Sequence, residues 1–418
     1  MKIRFVLFLF VAILAHTLAA QQRCASFDYM QSQLGKNPSL QGKMDAIERF
    51  TQNSIKKSQN IQSRLEDGLV IRIPVVVHIL YHEPGENISD SRVMEQIAAL
   101  NRDYRRMNTD TVNTPNYFKQ FAADSRIEFR LAISDPQQRS TTGIIRKYTP
   151  IAQWEGNDKM KFSSSYGDDA WDADIYLNIW VCNLKGVLGY SSFIGGPANL
   201  DGVVISNSVF GQTGTFSAYD KGRTAVHEVG HWLNLKHLWG DTDCGDDQVA
   251  DTPPQSTFTM GCPSGMKVSC NNSPTGNMYM NYMDFTYDDC MNMFTKGQMD
   301  RMRAQFDEGG PRSLLLFSQG LNTPLVYQTE VPDSPPKWLH PQLYPNPATN
   351  ELNLDLVYDI RWLGKTVTIF NSAGQVEMQF VINSKYQKID ISRLPGGLYL
   401  MSAKKEDGAT IREKFIKI

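Results

Sequence analysis

The residues best placed to do chemistry lie in 221–237, KGRTAVHEVGHWLNLKH. His227 and His231 are four apart, so on a helix they project from one face, one turn apart. Glu228 stands about 100° further round, within reach of a water held by the histidines but unable to replace either of them. Two imidazoles at this spacing with an intervening glutamate suit a zinc ion and a general base. His237, six residues past His231, would lie about 240° round a continuing helix, on the wrong side. It can join the same ion only if the helix stops and the chain turns back. Asn234 stands where that turn must fall, and asparagine is the non-glycine residue that best tolerates positive φ. Three protein ligands leave one position for water, which is a catalytic and not a structural arrangement. A non-catalytic binding or adhesion protein with structural zinc would need a fourth ligand, and the motif supplies none.

The motif HEVGHWLNLKH, followed by Asn281-Tyr282-Met283-Asp284-Phe285, resembles the zinc motif and methionine turn of the pappalysin family of metzincin peptidases. Asn234 replaces the family's glycine, and Phe285 replaces a tyrosine whose hydroxyl would help stabilise the tetrahedral intermediate. Either Tyr287 takes that role or the help is absent. The resemblance implies that Met283 lies beneath the metal as an apolar base and that disulfides pair Cys244 with Cys270 and Cys262 with Cys290. It also implies an endopeptidase acting on protein or peptide substrates, with Asp289 on the floor of the pocket receiving the residue after the scissile bond. A carboxylate there favours Arg, with Lys weaker.

Composition is consistent with export. The 418 residues allow two or three domains, and a net charge of −2 without a basic block argues against nucleic acid as a partner. Lys2 and Arg4 precede the apolar run 5–14, with small residues before Gln21, which predicts a signal peptide over 1–20. The run is too short for a transmembrane anchor. The polar stretch 21–63 contains the lone Cys24; it reads as a pro-segment with at most a short amphipathic helix near 44–50. Cys24 can ligate the metal of a zymogen, remain a free thiol, or pair with Cys182; the family resemblance favours the first, a cysteine switch. Cleavage between Ser63 and Arg64 would free the segment, and an enzyme cutting before Arg could make that cut itself.

These residues must be positioned by an α+β domain over 64–325. The run Val70–Leu80 reads as a buried strand, and Val93, Ile97, Leu100 and Tyr104 give one helical face behind the cap Ser89. Further strands fall at Ile127–Ile133 and Asp174–Cys182, with Val203–Ser206 as an edge strand and a cleft-bordering loop at Gly189–Gly196. This predicts the metzincin plan, a mixed twisted sheet with helices above the cleft and an irregular lower part. The lower part ends in a helix opened by a Thr295–Gln298 capping box and buried through Met299, Met302 and Phe306. The acidic loop 240–252 offers Asp247, Asp251 and Thr252 as structural calcium ligands, a segment that resembles the family's calcium site. A proline-stiffened linker over 326–340 leads to an all-β module over 341–418. That module resembles the sorting domain of type IX secretion cargo, which implies a secretion-machinery partner and a destination outside, or on the surface of, a Gram-negative cell.

Overall fold

The computed structural model describes residues 22–60, 69–212, 218–325, 342–356, 362–384, 386–404 and 410–418. The expected signal peptide, the Ser63–Arg64 bond and the linker over 326–340 lie outside the described residues. Among the described residues no helix is long and apolar enough to cross a membrane.

The N-terminal segment forms helices α1 (Ser26–Lys36) and α2 (Leu40–Asn60). A single short helix was expected, because the stretch lacks a strong apolar stripe. Helix α1 instead seats Tyr29 in an apolar cluster with Trp180 and Tyr190, and α2 rests on the rest of the protein largely through polar contacts. Glu48 on α2 pairs with the buried Arg301, Ser54 donates to Asp307, and Asn234 Nδ2 and Gln305 Nε2 both donate to the hydroxyl of Thr51.

A six-stranded sheet follows. Strand β1 (Ile71–Tyr81) is buried on both faces over Ile73–Leu80, which suits its β-branched run to the middle of a largely parallel sheet. Strand β2 (Ala122–Ala123) lies outside this sheet. On one side, β3 (Ile127–Leu131) pairs with the first half of β1 and β4 (Ile144–Tyr148) with the second; on the other lies β5 (Leu177–Cys182). Then β7 (Val203–Ser206) runs parallel to β5, and β6 (Gly189–Ser191) is antiparallel at the margin. The expected edge strand Val203–Ser206 is therefore internal. The true edge is β6, inside the stretch expected to be loop, because its only sequence signals are Gly189, Tyr190 and Ser191. Helix α3 (Asp90–Tyr104), capped by Ser89 Oγ accepting from the Arg92 amide, buries Val93, Ile97, Leu100 and Tyr104.

The short helix α4 (Asn116–Lys119) precedes β2, and α5 (Arg223–Trp232) carries the histidine motif. Past α5 the chain is mostly irregular, as a run without apolar periodicity should be. Disulfides Cys244–Cys270 and Cys262–Cys290 tie it together. It closes with β8 (Phe294–Thr295), paired with β2, and α6 (Lys296–Ala304), whose capping box is formed by Thr295 and Gln298. The C-terminal module has two antiparallel sheets. The first joins β9 (Gln342–Tyr344), β10 (Glu351–Asp355) and β13 (Tyr386–Asp390). The second joins β11 (Thr366–Asn371), β12 (Val376–Val381), β14 (Gly397–Lys404) and β15 (Thr410–Lys417). They enclose one core that includes Leu352, Leu354, Trp362, Val367, Ile369, Met401 and Phe415.

Candidate active site

Helix α5 ends as the third histidine requires. Asn234 has φ 71°. The amide of Leu235 bonds the carbonyl of Gly230 at 2.9 Å and that of Asn234 bonds the carbonyl of His231 at 2.9 Å, a left-handed termination that reverses the chain. His237 is thereby returned to the motif. The three Nε2 atoms of His227, His231 and His237 lie 3.1–3.2 Å from one another. Each Nδ1 has a carbonyl or carboxylate partner: the carbonyl of Tyr282 at 2.7 Å, the carbonyl of Leu235 at 2.9 Å, and Asp241. Those acceptors hold the proton on Nδ1 and turn all three Nε2 lone pairs inward, as metal ligation requires. Burial, with the neighbouring imidazole of His237, pushes the pKa of His231 down to about 3, so the ring stays neutral. Tetrahedral zinc with Zn–N near 2.1 Å would separate its nitrogen ligands by roughly 3.4 Å, so the cluster fits that ion.

The surrounding residues fix this geometry. A Cβ on Gly230 would fall 2.5 Å from Met283 Sδ, so only glycine lets the methionine sit against α5. Trp239 stacks on His237 with ring centroids 4.3 Å apart. Phe285 packs edge-on to His237 at 5.0 Å and tilts against His227 at 5.5 Å. Tyr287 lies elsewhere, 39% exposed and edge-on to Tyr219, so it does not fill the place that Phe285 occupies.

Glu228 is wholly buried, and burial lifts its carboxyl to about pKa 7. Its Oε2 accepts from Ser26 Oγ at 2.7 Å, whereas Oε1 is buried without a hydrogen-bond partner among the described residues. Cys24 Sγ lies 3.5 Å from both His231 Nε2 and Glu228 Oε2. Cys24 and the three histidines form a group of potential metal ligands, and a thiolate beside a nitrogen on tetrahedral zinc would sit at about the separation seen here. Cys182, the alternative disulfide partner, is a free and buried thiol, as is Cys24.

The expected pocket carboxylate needs correcting. The Asp289 side chain is 73% exposed and pairs with Lys221. The buried acid is its neighbour Asp288, and it is occupied. Arg23 donates to Asp288 Oδ1 at 3.1 Å and to the carbonyl of Thr286, approaches Met291 Sδ at 3.2 Å, and lies over the Tyr219 ring at 4.8 Å. Asp288 Oδ2 accepts the amides of Lys221 at 3.0 Å and Arg223 at 3.2 Å. Adjacent acids in an irregular loop point opposite ways, and no sequence pattern distinguishes them; Arg23, one residue before Cys24, was the available clue. Asp241 was expected only as one acid of the loop, yet it orients His237. Of the named calcium ligands, Asp247 is buried with both carboxylate oxygens 2.8–2.9 Å from the Thr252 hydroxyl oxygen. Asp251 is engaged by Thr295 Oγ1 and the Gly297 amide.

Comparison with known proteins agrees with this geometry. Residues 161–307 match the peptidase family described as pregnancy-associated plasma protein-A, and residues 342–418 match a secretion system C-terminal sorting domain. An extracellular metalloprotease of Arthroderma otae is 34% identical over 243 residues, covering 56% of this chain and 76% of that protein. Mature mirolysin of Tannerella forsythia, solved with a cleaved peptide, is 48% identical, covers 60% of this chain and 97% of its own, and superposes with a TM-score of 0.59. A promirolysin mutant of the same organism is 43% identical, covers 72% of this chain and 98% of its own, and gives 0.64. The chain thus belongs to the pappalysin family of metzincin zinc metalloendopeptidases, and carries behind its catalytic domain the sorting domain of a secreted or surface protein.

Proposed function

We propose that the chain is the latent precursor of an endopeptidase that cleaves before Arg. The observation that carries this reading is the position of the dipeptide Arg23-Cys24. One thiol lies at the histidine cluster, and the adjoining guanidinium lies on the buried carboxylate of Asp288. A thiolate there would occupy the position that catalysis must leave open. The arginine would fill the pocket that receives the residue after the scissile bond, in place of a substrate's.

His227, His231 and His237 would hold the zinc, which supplies a Lewis acid that polarises a peptide carbonyl and acidifies water. Glu228 would accept a proton at Oε1 and deliver it to the leaving amine. Asp288, its Oδ2 held by two backbone amides, would select Arg over Lys because a planar fork matches the carboxylate and the Thr286 carbonyl together. With that preference, cleavage of Ser63–Arg64 is a self-processing step that releases Cys24. Calcium at Asp247, Asp251 and Thr252 has the support of one buried carboxylate beside a hydroxyl. The sorting domain would direct export across the outer membrane of a Gram-negative cell.

The test is Glu228→Ala in the processed enzyme. It should retain stoichiometric zinc and lose at least about 10³-fold in peptide hydrolysis, the combined general-base and electrostatic contribution. Near-normal turnover by a zinc-replete, folded variant would refute the assignment.

A further inference from the structure

Helix α1 places one large side chain deep in the body of the protein. Tyr29 is 6% exposed, its ring centroid 5.0 Å from that of Tyr190 on the edge strand β6. The site around it is preformed. Asp158 and Lys161, 5% and 0% exposed, pair at 2.8 Å. Lys161 also donates to the carbonyl of Leu200 at 2.7 Å, and its ammonium lies 5.2–5.5 Å from the ring centroids of Tyr29, Trp180 and Tyr190. Tyr190 is anchored by its hydroxyl, which donates to Met160 Sδ at 3.1 Å and accepts the Asp158 amide at 3.3 Å. Lys161 therefore holds one oxygen of Asp158. The other, Oδ2, accepts from Gln33 Nε2 at 3.1 Å, and burial together with the Asp158 carboxylate pushes the pKa of the Tyr29 phenol up. Gln33 and Tyr29 both belong to α1.

Release of the N-terminal segment would uncover a slot with an aromatic wall and a carboxylate oxygen lacking its donors. The course of the chain locates it. The segment passes from Arg23 at Asp288, through Cys24 at the histidines, to Tyr29. The slot thus lies on the opposite side of the metal cluster from the pocket for the residue after the cut bond. One non-helical residue, Ala25, and one helical turn separate Cys24 from Tyr29, at most roughly 11 Å, within the reach of three extended residues.

We infer that the slot vacated by Tyr29, formed by Tyr190, Asp158, Lys161 and Trp180, is a substrate subsite that takes a tyrosine side chain two to four residues before the scissile bond. This rests on the proposed latency and goes beyond it. A phenol would pack on Tyr190, tilted as Tyr29 is, and bring its hydroxyl to the Asp158 carboxylate. Phenylalanine would fill the space and leave that oxygen unpaired, a loss that buried polar groups make costly. Lys or Arg would meet a carboxylate already neutralised by Lys161. The wall of the slot is continuous with the catalytic groups through β6, since a Cβ on Gly189, the neighbour of Tyr190, would fall 3.1 Å from Glu228 Cγ.

The test uses processed, zinc-replete enzyme and peptides with Arg after the cut bond and Tyr, Phe, Leu, Lys or Ala at each of the second to fourth positions before it. Tyr at one position should raise kcat/KM about 10-fold over Ala and about 5-fold over Phe. Asp158→Asn, compatible with the left-handed backbone at that residue, should abolish the gap between Tyr and Phe while the Arg preference persists. As a second measure, a peptide of residues 22–36 should inhibit the enzyme, and Tyr29→Phe in the peptide should raise its inhibition constant about 5-fold. A flat profile at all three positions, with Arg still required, would overturn the subsite and leave the proposed function standing. A Tyr preference without any Arg requirement would do the reverse.

Discussion

Arg23 offers the sharpest test of latency, because its contacts have no role in metal binding. The guanidinium is 3% exposed and the Asp288 side chain 1%, so the pair is dry. Truncating one partner of such a pair typically costs about 3–5 kcal/mol, much of it from the charge left buried alone. Asp288 keeps the Lys221 and Arg223 amides on its other oxygen, so the lower end applies, about 3 kcal/mol or roughly a 150-fold shift toward the undocked segment. The assay requires a precursor that cannot shed its segment, which Arg64→Ala should provide. In that background Arg23→Ala should raise the initial hydrolysis of a quenched peptide about 100-fold, and Cys24→Ala should raise it comparably. Arg23→Lys, which keeps the charge but loses the fork to the Thr286 carbonyl, should raise it about 10-fold. Asp289→Asn should change nothing, since that carboxylate is exposed and, among the described residues, pairs with Lys221. If the Arg23→Ala precursor is as silent as its parent, or Asp289→Asn leaks and Asp288→Asn does not, the pocket has been misassigned.

Burial alone would raise the pKa of Glu48, but the Arg301 guanidinium overrides it and holds the carboxyl down at about 2. The pair therefore stabilises the docked α2 fully above the unfolded value near 4.5 and loses that contribution as pH falls toward 2. For a side chain about one-quarter exposed this is about 1–2 kcal/mol. Proteolytic nicking within 40–60 should rise between pH 4.5 and 2.5, and Glu48→Gln should flatten that rise; identical profiles would count against the bridge. Removing calcium with a selective chelator at constant zinc should lower Tm by several degrees if Asp247, Asp251 and Thr252 hold that ion, and an unmoved Tm removes it from the account. Deleting 341–418 should leave peptide hydrolysis unchanged in the purified enzyme and strand the protein in the periplasm of its host; normal surface export would contradict the sorting role.

The parts legible in the sequence were those encoded by local periodicity. His227, Glu228 and His231 are fixed by helical spacing, and the need to recover His237 pointed to a reversal at Asn234. Strand β1 was visible because a strand buried on both faces must be apolar throughout. The less legible parts depend on contacts across the chain. Helix α2 has a mixed face and is held by Arg301 and Gln305, some 250 residues away, so its length could not be read from its own pattern. Strand β4 and the edge strand β6 are too short or too polar to announce themselves. Which of Asp288 and Asp289 is buried depends on which way one loop residue points, and no local pattern marks Arg23 as the partner of that acid.

The N-terminal segment also closes the sheet. Gln22 forms a parallel bridge with Val187, its amide bonds the carbonyl of Gly186, and its carbonyl accepts from Leu188, while the Ala25 amide donates to Gly189. These are the backbone groups that an open margin would otherwise present to any passing chain. If the segment is shed as proposed, they are bared beside Glu228, where an extended peptide could be recruited by strand addition. The same bare margin is a template for another copy of the protein. On the proposed latency, the timing of release would govern colloidal behaviour as well as activity: a chain uncapped at high local concentration would be prone to edge-to-edge association and to cutting its neighbours, whereas one uncapped after dilution outside the cell would meet mostly foreign peptide.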